Sequence, residues 1–343
     1  MVRRHAPQLV GPGRERPITV DQTHHSVVVD DAVIVKWLVP PAQPPHHALD
    51  TLAHLAAVGF DAAPQLLGAE FDGDRLVAMA TSYVPDARDG WDWFVDQLTD
   101  CADKIITAPS VLTDAERIGE LAAQLHVALA TPSHVRPAPM SVGDAGSERI
   151  RCEALLVEAL GAVEAAGVDD DIRAALHARR AVIAASIAAM PHGATPIAPI
   201  HGDLHIGQIL RSGDRLVVVD FDGSPLLDPA ARAAPRPIAV DVAALAQSVD
   251  HAGRIAQRRR PEHETMLDEL TADAVIATLA AYRQMLGSCG HAQWPDSELL
   301  AGLRAAQELH EIVYAVKYLP HWTYAPAGAL RAMFPISTAP AAD

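Results

Sequence analysis

Two rhythms of apolar and polar residues divide this chain. At the front, Ser26-Val-Val-Val29 and Ala32-Val-Ile-Val-Lys36-Trp-Leu38 are short apolar runs joined by Asp30-Asp31, a pattern that predicts a β-hairpin. Ala63-Pro64 opens another strand region, and residues 75–85 read as the strand that ends this part. Between the hairpin and that region, past the breaks at Pro40-Pro41 and Pro44-Pro45, residues 47–58 carry Leu49, Leu52, Leu55 and Val58 at helical spacing. Beyond Trp91 the period is helical almost throughout, and it predicts helices over 91–98, 114–130, 148–166, 172–190, 240–257, 264–286 and 296–318. Thr113-Asp-Ala-Glu116 supplies a capping box for the second of these. One strand-like run, Leu216-Val-Val-Val219, interrupts them. Residues 1–22, rich in Pro, Gly and Arg, are expected to be weakly structured. The expectation is an α+β chain: a small β-rich lobe over residues 1–86 and a mostly helical lobe over 87–343.

Composition narrows the function more than the fold. A chain of 343 residues can bury a large core and usually divides into two lobes or domains. Only 4% of residues are aromatic and Ala is abundant, which favours helix-rich packing. The net charge of −16 argues against nucleic acid and anionic membranes, because both need a concentrated basic surface. The short basic run Arg254…Arg258-Arg-Arg260 reads as a solvated helix end. Cys101, Cys152 and Cys289 are far apart and lack metal spacing, so they point to a reducing compartment. Basic residues at the start have no apolar stretch behind them, and no window reaches the length of a membrane span. A soluble, cytoplasmic protein is expected.

The chemistry is concentrated in His201-Gly-Asp-Leu-His-Ile-Gly-Gln208, followed by the strand-like run that ends in Asp220-Phe-Asp222-Gly223. Phosphoryl transfer from a nucleotide needs such parts. One carboxylate orients the attacking hydroxyl and accepts its proton, while an amide oxygen and a second carboxylate hold the metal that bridges the phosphates. Protein kinases use H-R-D-x-x-x-x-N followed by D-F-G, and here H-G-D-x-x-x-x-Q precedes D-F-D-G. The opposing reading, an ordinary polar turn and a strand-ending Asp, does not account for both halves in order.

This arrangement resembles the aminoglycoside-phosphotransferase-like kinases, whose usual loop reads H-G-D-x-x-x-x-N. Gln208 in place of Asn and Asp222 after Phe221 look more like the maltokinase branch of that group. So do Asp89-Gly-Trp91-Asp-Trp93 and the closing Glu311-Ile-Val-Tyr314-Ala-Val-Lys-Tyr318-Leu-Pro-His-Trp322, and the likeness extends over residues 27–334. It implies a bilobal, eukaryotic-protein-kinase-like fold that uses ATP and Mg2+. By the same resemblance Asp203 is the catalytic residue, and Gln208 and Asp220 are the metal ligands. Lys36 would hold the α- and β-phosphates, although a lone lysine at a strand end is by default a snorkelling edge residue. An acid on the helix over 47–58 should pair with it, and Asp50 is the only carboxylate there. The strand over 75–85 should pass behind the adenine, with Met79, Ser82 and Val84 beside it. No G-x-G-x-x-G precedes Lys36, so phosphate cover falls to Thr23-His24-His25-Ser26 or another loop. His205 is expected to line the nucleotide or substrate side, and His201 to fix the loop through backbone hydrogen bonds. A metal site on these two is poor for want of a third soft ligand. Asp241 suits a helix N-cap, and kinase-like folds place an acid there to hold the catalytic loop from below.

The last helix carries the substrate information. Leu309, Ile312, Val313 and Val316 make a core face, whereas Gln307, His310, Glu311, Tyr314 and Tyr318 form a polar and aromatic stripe. The stripe is either a solvated face or one wall of a sugar site, with Trp322 as a stacking surface. Glu308 and Glu311 would suit a cationic amino group. Three readings compete: a small-sugar kinase, a maltokinase or aminoglycoside-type phosphotransferase, and a kinase-like fold that binds nucleotide without catalysis. Lys36, Asp203, Gln208 and Asp220 together argue against the last. Maltokinases usually carry a longer amino-terminal cap, whereas about 25 residues precede the first strand here, which implies a different acceptor pocket. Resemblance to the actinobacterial glucosamine kinases implies glucosamine as acceptor, at O6. A monomer or weak dimer is expected, with the small sugar as its partner and neither nucleic acid nor membrane.

Overall fold

The computed structural model describes residues 14–18, 25–165, 167–225, 227–291 and 297–336. Strands β1 (Glu15–Pro17), β2 (His25–Val29) and β3 (Val33–Ala42) lead into helix α1 (His47–Ala57), followed by β4 (Leu66–Asp72) and β5 (Arg75–Ser82). They form one antiparallel sheet in the order β1-β2-β3-β5-β4. Valines at 27–29 and β-branched residues at 33–35 suit a half-buried pleated surface. Asp30 and Asp31 take φ of 51° and 49°, the left-handed geometry of the tight turn that the Ala32 N–H closes on the Val29 carbonyl. Lys36 pairs with Met79 across β3 and β5, so the two side chains share a face of the sheet. Among the described residues, the short β1 falls within the segment expected to be weakly structured.

The helical lobe follows. It contains α2 (Gly90–Ala102), α3 (Ala108–Ala130), β6 (Ser141–Asp144), α4 (Ala145–Val163), α5 (Asp170–Ala188) and β7 (Ala194–Ile197). A hairpin of β8 (Ile209–Ser212) and β9 (Arg215–Val218) comes next. Helices α6 (Pro229–Ala233), α7 (Ala239–Arg259), α8 (Glu264–Ser288), α9 (Ser297–Tyr318) and α10 (Tyr324–Met333) complete it. Helix α7 is the axis: it packs on α2, α8, α9 and α10 and is buried from Ala239 to Ala256 on almost every side. It lies inside although it buries Asp241, Gln247, Asp250, His251 and Arg254, because each of these is hydrogen-bonded or ion-paired within the lobe, and its many alanines let neighbours approach closely. None of the described helices is long and apolar enough to cross a membrane.

Four features depart from the sequence reading. Helix α3 begins at Ala108 with a proline in its first turn, so Thr113–Glu116 lies inside the helix and caps nothing; Asp114 binds Arg117 and Arg211 instead. The β6–β7 pair, α6 and α10 were not anticipated. Asp241 lies in the first turn of α7, after the cap position at Ile238. The basic run ending α7 is pinned, not merely solvated. Arg254 is buried against Asp250 and Asp268, Arg259 meets Asp96, and Arg260 meets Asp103.

Candidate active site

The catalytic loop leaves the helical lobe between β7 and β8, and its shape is set by backbone hydrogen bonds to buried groups. Asp241, on α7, accepts from the N–H groups of His201 (2.7 Å) and Gly202 (2.9 Å) and from His126 Nε2 (3.2 Å). A buried carboxylate is costly unless its lone pairs are filled, and here three donors fill them. Burial works against its ionisation, yet His126, His201 and the Gly202 N–H hold it below the usual range. His201 completes the frame: Nε2 donates to the Val219 carbonyl (2.9 Å), Nδ1 accepts from the Asp203 N–H (3.3 Å), and the ring packs on Phe221. The loop is therefore tied to both α7 and the Asp220–Gly223 segment, the part expected of His201 and Asp241. At the far end, the Ser248 hydroxyl accepts from Ile206 N–H (2.8 Å). Gly90 is obligatory there, since a Cβ would meet the Ile206 carbonyl oxygen at 1.9 Å.

Asp203 projects from this frame into a half-buried corner. Burial raises its carboxyl to about 6, with Asp220 and Glu311 adding to the rise against the opposing pull of His201 and His310. A carboxylate of that strength is well matched to proton acceptance near neutral pH. His205 is neutral, its pKa lowered by burial; Nδ1 accepts from Gly207 N–H (3.1 Å) and the ring stacks on Trp91 at 5.8 Å.

Opposite, Lys36 reaches across the cleft from β3 and binds two carboxylates, Asp220 (3.2 Å) and Asp222. Burial would lower its pKa, but Asp220 and Asp222 more than offset that and hold it above the usual range. The expected partner, Asp50, is exposed on the other side of α1 and makes no contact with Lys36. The turns of α1 that face the helical lobe carry His47, Thr51 and His54, and the last donates to the Ala128 carbonyl and accepts from Ser133. Asp220 adopts φ of 60°, uncommon for a non-glycine residue and typical of functional sites. The donor set here fits a hard cation such as Mg2+: Asp220 and Asp222 are gathered around one positive charge, and the Gln208 backbone is tied to the same segment by the Val219 N–H to Gln208 carbonyl bond. Among the described residues no three His, Cys, Asp or Glu form a metal cluster. Met79 lies on the Lys36 face of the sheet. Ser82 does not turn inward: its N–H donates to the Gln65 carbonyl and its hydroxyl accepts from the Gln65 N–H, both at 2.9 Å. Val84 follows on the half-buried segment joining the lobes. Thr23 and His24, proposed as phosphate cover, lie outside the described residues.

Asp203 opens into a cavity of about 440 Å³ between the loop, α7 and α9. Gln307, His310, Glu311 and Tyr314 line it, with Trp322, so the predicted stripe of α9 faces the site. Tyr318, 58% exposed, stays outside and stacks on Tyr314. Trp91 stands edge-on to Trp322 at 6.0 Å, giving an aromatic wall. Glu311 accepts from Gln307 Nε2 (3.0 Å). Burial would raise its pKa, but His310 (3.8 Å away) and His251 hold it below the usual range, so it carries a full charge. Glu308 is not in this cavity. It is fully buried behind it, on the side of α9 shared with Ile312 and Ala315, and binds Gln247 and His251 of α7. Gln247, Ser248 and His251 line the cavity and were missed; polar side chains in a helix otherwise buried all round were the available signal. A wider groove of about 750 Å³ between α7, α8 and α10 contains none of the catalytic loop.

A small sheet and a helical lobe facing each other across a lysine, a half-buried Asp on an H-G-D loop and a D-F-D turn define a kinase-type phosphotransferase. The chain belongs to the phosphotransferase enzyme family, whose model matches residues 38–265. It is 38% identical over 333 residues to the glucosamine kinase of Streptacidiphilus jiangxiensis, covering 94% of this chain and 74% of that protein. It is 37% identical over 325 residues to the glucosamine kinase of Mycolicibacterium smegmatis, covering 93% of this chain and 79% of that protein. A solved glucosamine kinase in complex with glucosamine, ADP and inorganic phosphate superposes with a TM-score of 0.80 at 36% identity, covering 94% of this chain and 76% of that one.

Proposed function

We propose that this protein transfers a phosphoryl group from ATP to glucosamine, giving glucosamine 6-phosphate and ADP. The observation that carries the reading is the single cavity that joins Asp203 to an ionised Glu311 beside an aromatic wall. Rings on one side suit the apolar face of a sugar, and a carboxylate held charged in a half-buried site suits an ammonium group. The likeness to two glucosamine kinases over more than nine-tenths of the chain supports the same acceptor.

In this reading Asp203 hydrogen-bonds the acceptor hydroxyl and takes its proton as the oxygen bonds to the γ-phosphorus and the bond to the ADP oxygen breaks. Lys36 neutralises the α- and β-phosphates after exchanging its carboxylate partners for phosphate oxygens. Gln208 and Asp220, with Asp222, would hold Mg2+, which neutralises phosphate charge when bound. Neutral His205 fixes the floor between nucleotide and sugar, and Met79 and Val84 border the adenine. The lobes meet near residue 86, and the protein acts as a monomer or weak dimer. Free thiols at Cys101, Cys152 and Cys289 suit the reducing cytoplasm.

The test is ADP release with glucosamine, glucose, N-acetylglucosamine, maltose and an aminoglycoside. A charge-assisted hydrogen bond contributes about 1.5–3 kcal/mol, so glucosamine should exceed glucose by about 10- to 100-fold in kcat/KM. Glu311→Gln should shrink that preference while leaving ATP affinity unchanged. Equal use of glucose, or maltose as the better acceptor, overturns the assignment.

A further inference from the structure

Behind the sugar cavity lies a polar chain that runs through an apolar helix interface. Glu308 of α9 is fully buried; one carboxylate oxygen accepts from Gln247 Nε2 and the other faces His251 Nε2 at 3.1 Å. Arg304 Nε donates to the other end of the Gln247 amide at 2.7 Å. An ionic cluster between packed helices is a poor source of stability, since an apolar trio of similar volume does as well or better. Its geometry suggests another use, because two of its members, Gln247 and His251, also line the cavity with Asp203 and Glu311.

His251 is 3% exposed and stands perpendicular to the Trp322 ring at 6.2 Å, against the aromatic wall. Its Nε2 is committed to Glu308, which fixes the ring plane and leaves Nδ1 as the donor for a ligand. Burial lowers its pKa, but Glu308, with Glu311 and Asp250, more than offsets this and lifts it to about 9. The cavity thus has an imidazolium on α7 and a carboxylate on α9. An ammonium is drawn to one and repelled by the other, whereas a hydroxyl oxygen accepts from the imidazolium.

We propose that His251 is a sugar-binding residue, donating from Nδ1 to a hydroxyl of the acceptor, and that Glu308 is a positioning residue acting through it. The pair then orients the sugar as well as binding it: the amino group faces Glu311, and the opposite orientation, with the amine against His251, is disfavoured. This inference rests on the amino-sugar reading above.

The test compares wild type, His251→Gln, His251→Phe and Glu308→Gln for KM and kcat with glucosamine and with ATP, and for glucosamine binding by calorimetry in the presence of ADP. KM and Kd for glucosamine should rise about 10- to 100-fold in His251→Phe and less in His251→Gln, which keeps a donor. KM for ATP should stay within about twofold in both. Glu308→Gln should weaken glucosamine in the same sense with the helices still folded by circular dichroism, and it carries the test with His251→Gln if the Phe variant does not fold. A structural role alone would shift melting temperature and both KM values together, and that result overturns the proposal. So does an unchanged glucosamine KM in His251→Phe. A wild type that releases no ADP with glucosamine instead overturns the functional reading beneath it.

Discussion

Asp203 and Lys36 illustrate how single positions are tuned by what surrounds them. The raised pKa of Asp203 has two measurable consequences with separate signs. The base form is lost as pH falls through about 6, so kcat/KM should drop with unit slope below that value and level off above it. The same shift makes ionised Asp203 a cost to the fold: the folded state binds more protons than the unfolded one between about 4 and about 6, and stability falls as pH rises through that window. Asp203→Asn should therefore reduce turnover by about 10²-fold or more while raising the melting temperature at pH 7. A variant with normal turnover, or a lower melting temperature, would remove Asp203 from its assigned place. At the metal corner, Asp220→Ala should impair Mg-ATP use more than Gln208→Ala, because it removes a charge as well as an oxygen. Titrating magnesium in both variants checks the order. The gathering of these residues at one cleft was legible in the sequence because they are spaced along one loop and the strand that follows it. The partner of Lys36 was not, since Asp220 and Asp222 are 184 and 186 residues away while Asp50 is close along the chain. Glu308 was misplaced by about one-third of a helical turn: it belongs to the face of Ile312 and Ala315, not to the stripe of Glu311.

Elements were legible in proportion to their length and to the purity of their period. The long helices α3, α7, α8 and α9 appear in the sequence as sustained apolar stripes, with ends blurred by a turn or so. Helix α10 was hidden by Pro326 and Gly328, which read as loop; Pro is tolerated in a first turn, and a Cβ at Gly328 would meet Arg254 Cδ at 2.9 Å. The β6–β7 pair joins segments some 50 residues apart, and nothing local announces such a partner. Close helix contacts also leave a testable mark. At Gly119 of α3, a Cβ would lie 2.1 Å from the Thr278 carbonyl oxygen on α8, whereas at Gly161 of α4 nothing lies within 4 Å. Gly119→Ala should destabilise by about 1–3 kcal/mol or more, because backbone cannot yield cheaply. Gly161→Ala should stabilise by up to about 1 kcal/mol through helix propensity. Urea unfolding of the two variants should give opposite shifts in midpoint. A shift of the same sign in both would mean that α3 and α8 are not held as closely as described.

At the scale of the whole molecule, the two substrates of the proposed reaction carry opposite charge toward a protein that is itself strongly charged. The lobes are coupled by Lys36 to Asp220 and Asp222, by His54 to Ser133 and by the linker, where Arg88 and Arg211 exchange backbone hydrogen bonds. The site between them lies within the field of a chain of net charge −16. Protonated glucosamine is attracted by that field at long range, and Mg-ATP is repelled by it. Salt screens both effects, with a Debye length of about 30 Å at 0.01 M falling to about 8 Å at 0.15 M. The proposed contact within the cavity, between an amino group and the half-buried Glu311, is screened less. Raising ionic strength over this range should therefore lower kcat/KM for glucosamine by a few-fold, about 2- to 5-fold, and raise that for Mg-ATP in the opposite direction. Glucose, being neutral, supplies the control: its weak turnover at saturating Mg-ATP should scarcely respond to salt. The preference for glucosamine over glucose should narrow with salt but not vanish, since its larger part comes from the contact within the cavity. If glucosamine and glucose respond alike, the attraction is not to the charge of the amino group, and the acceptor is recognised by its hydroxyls alone.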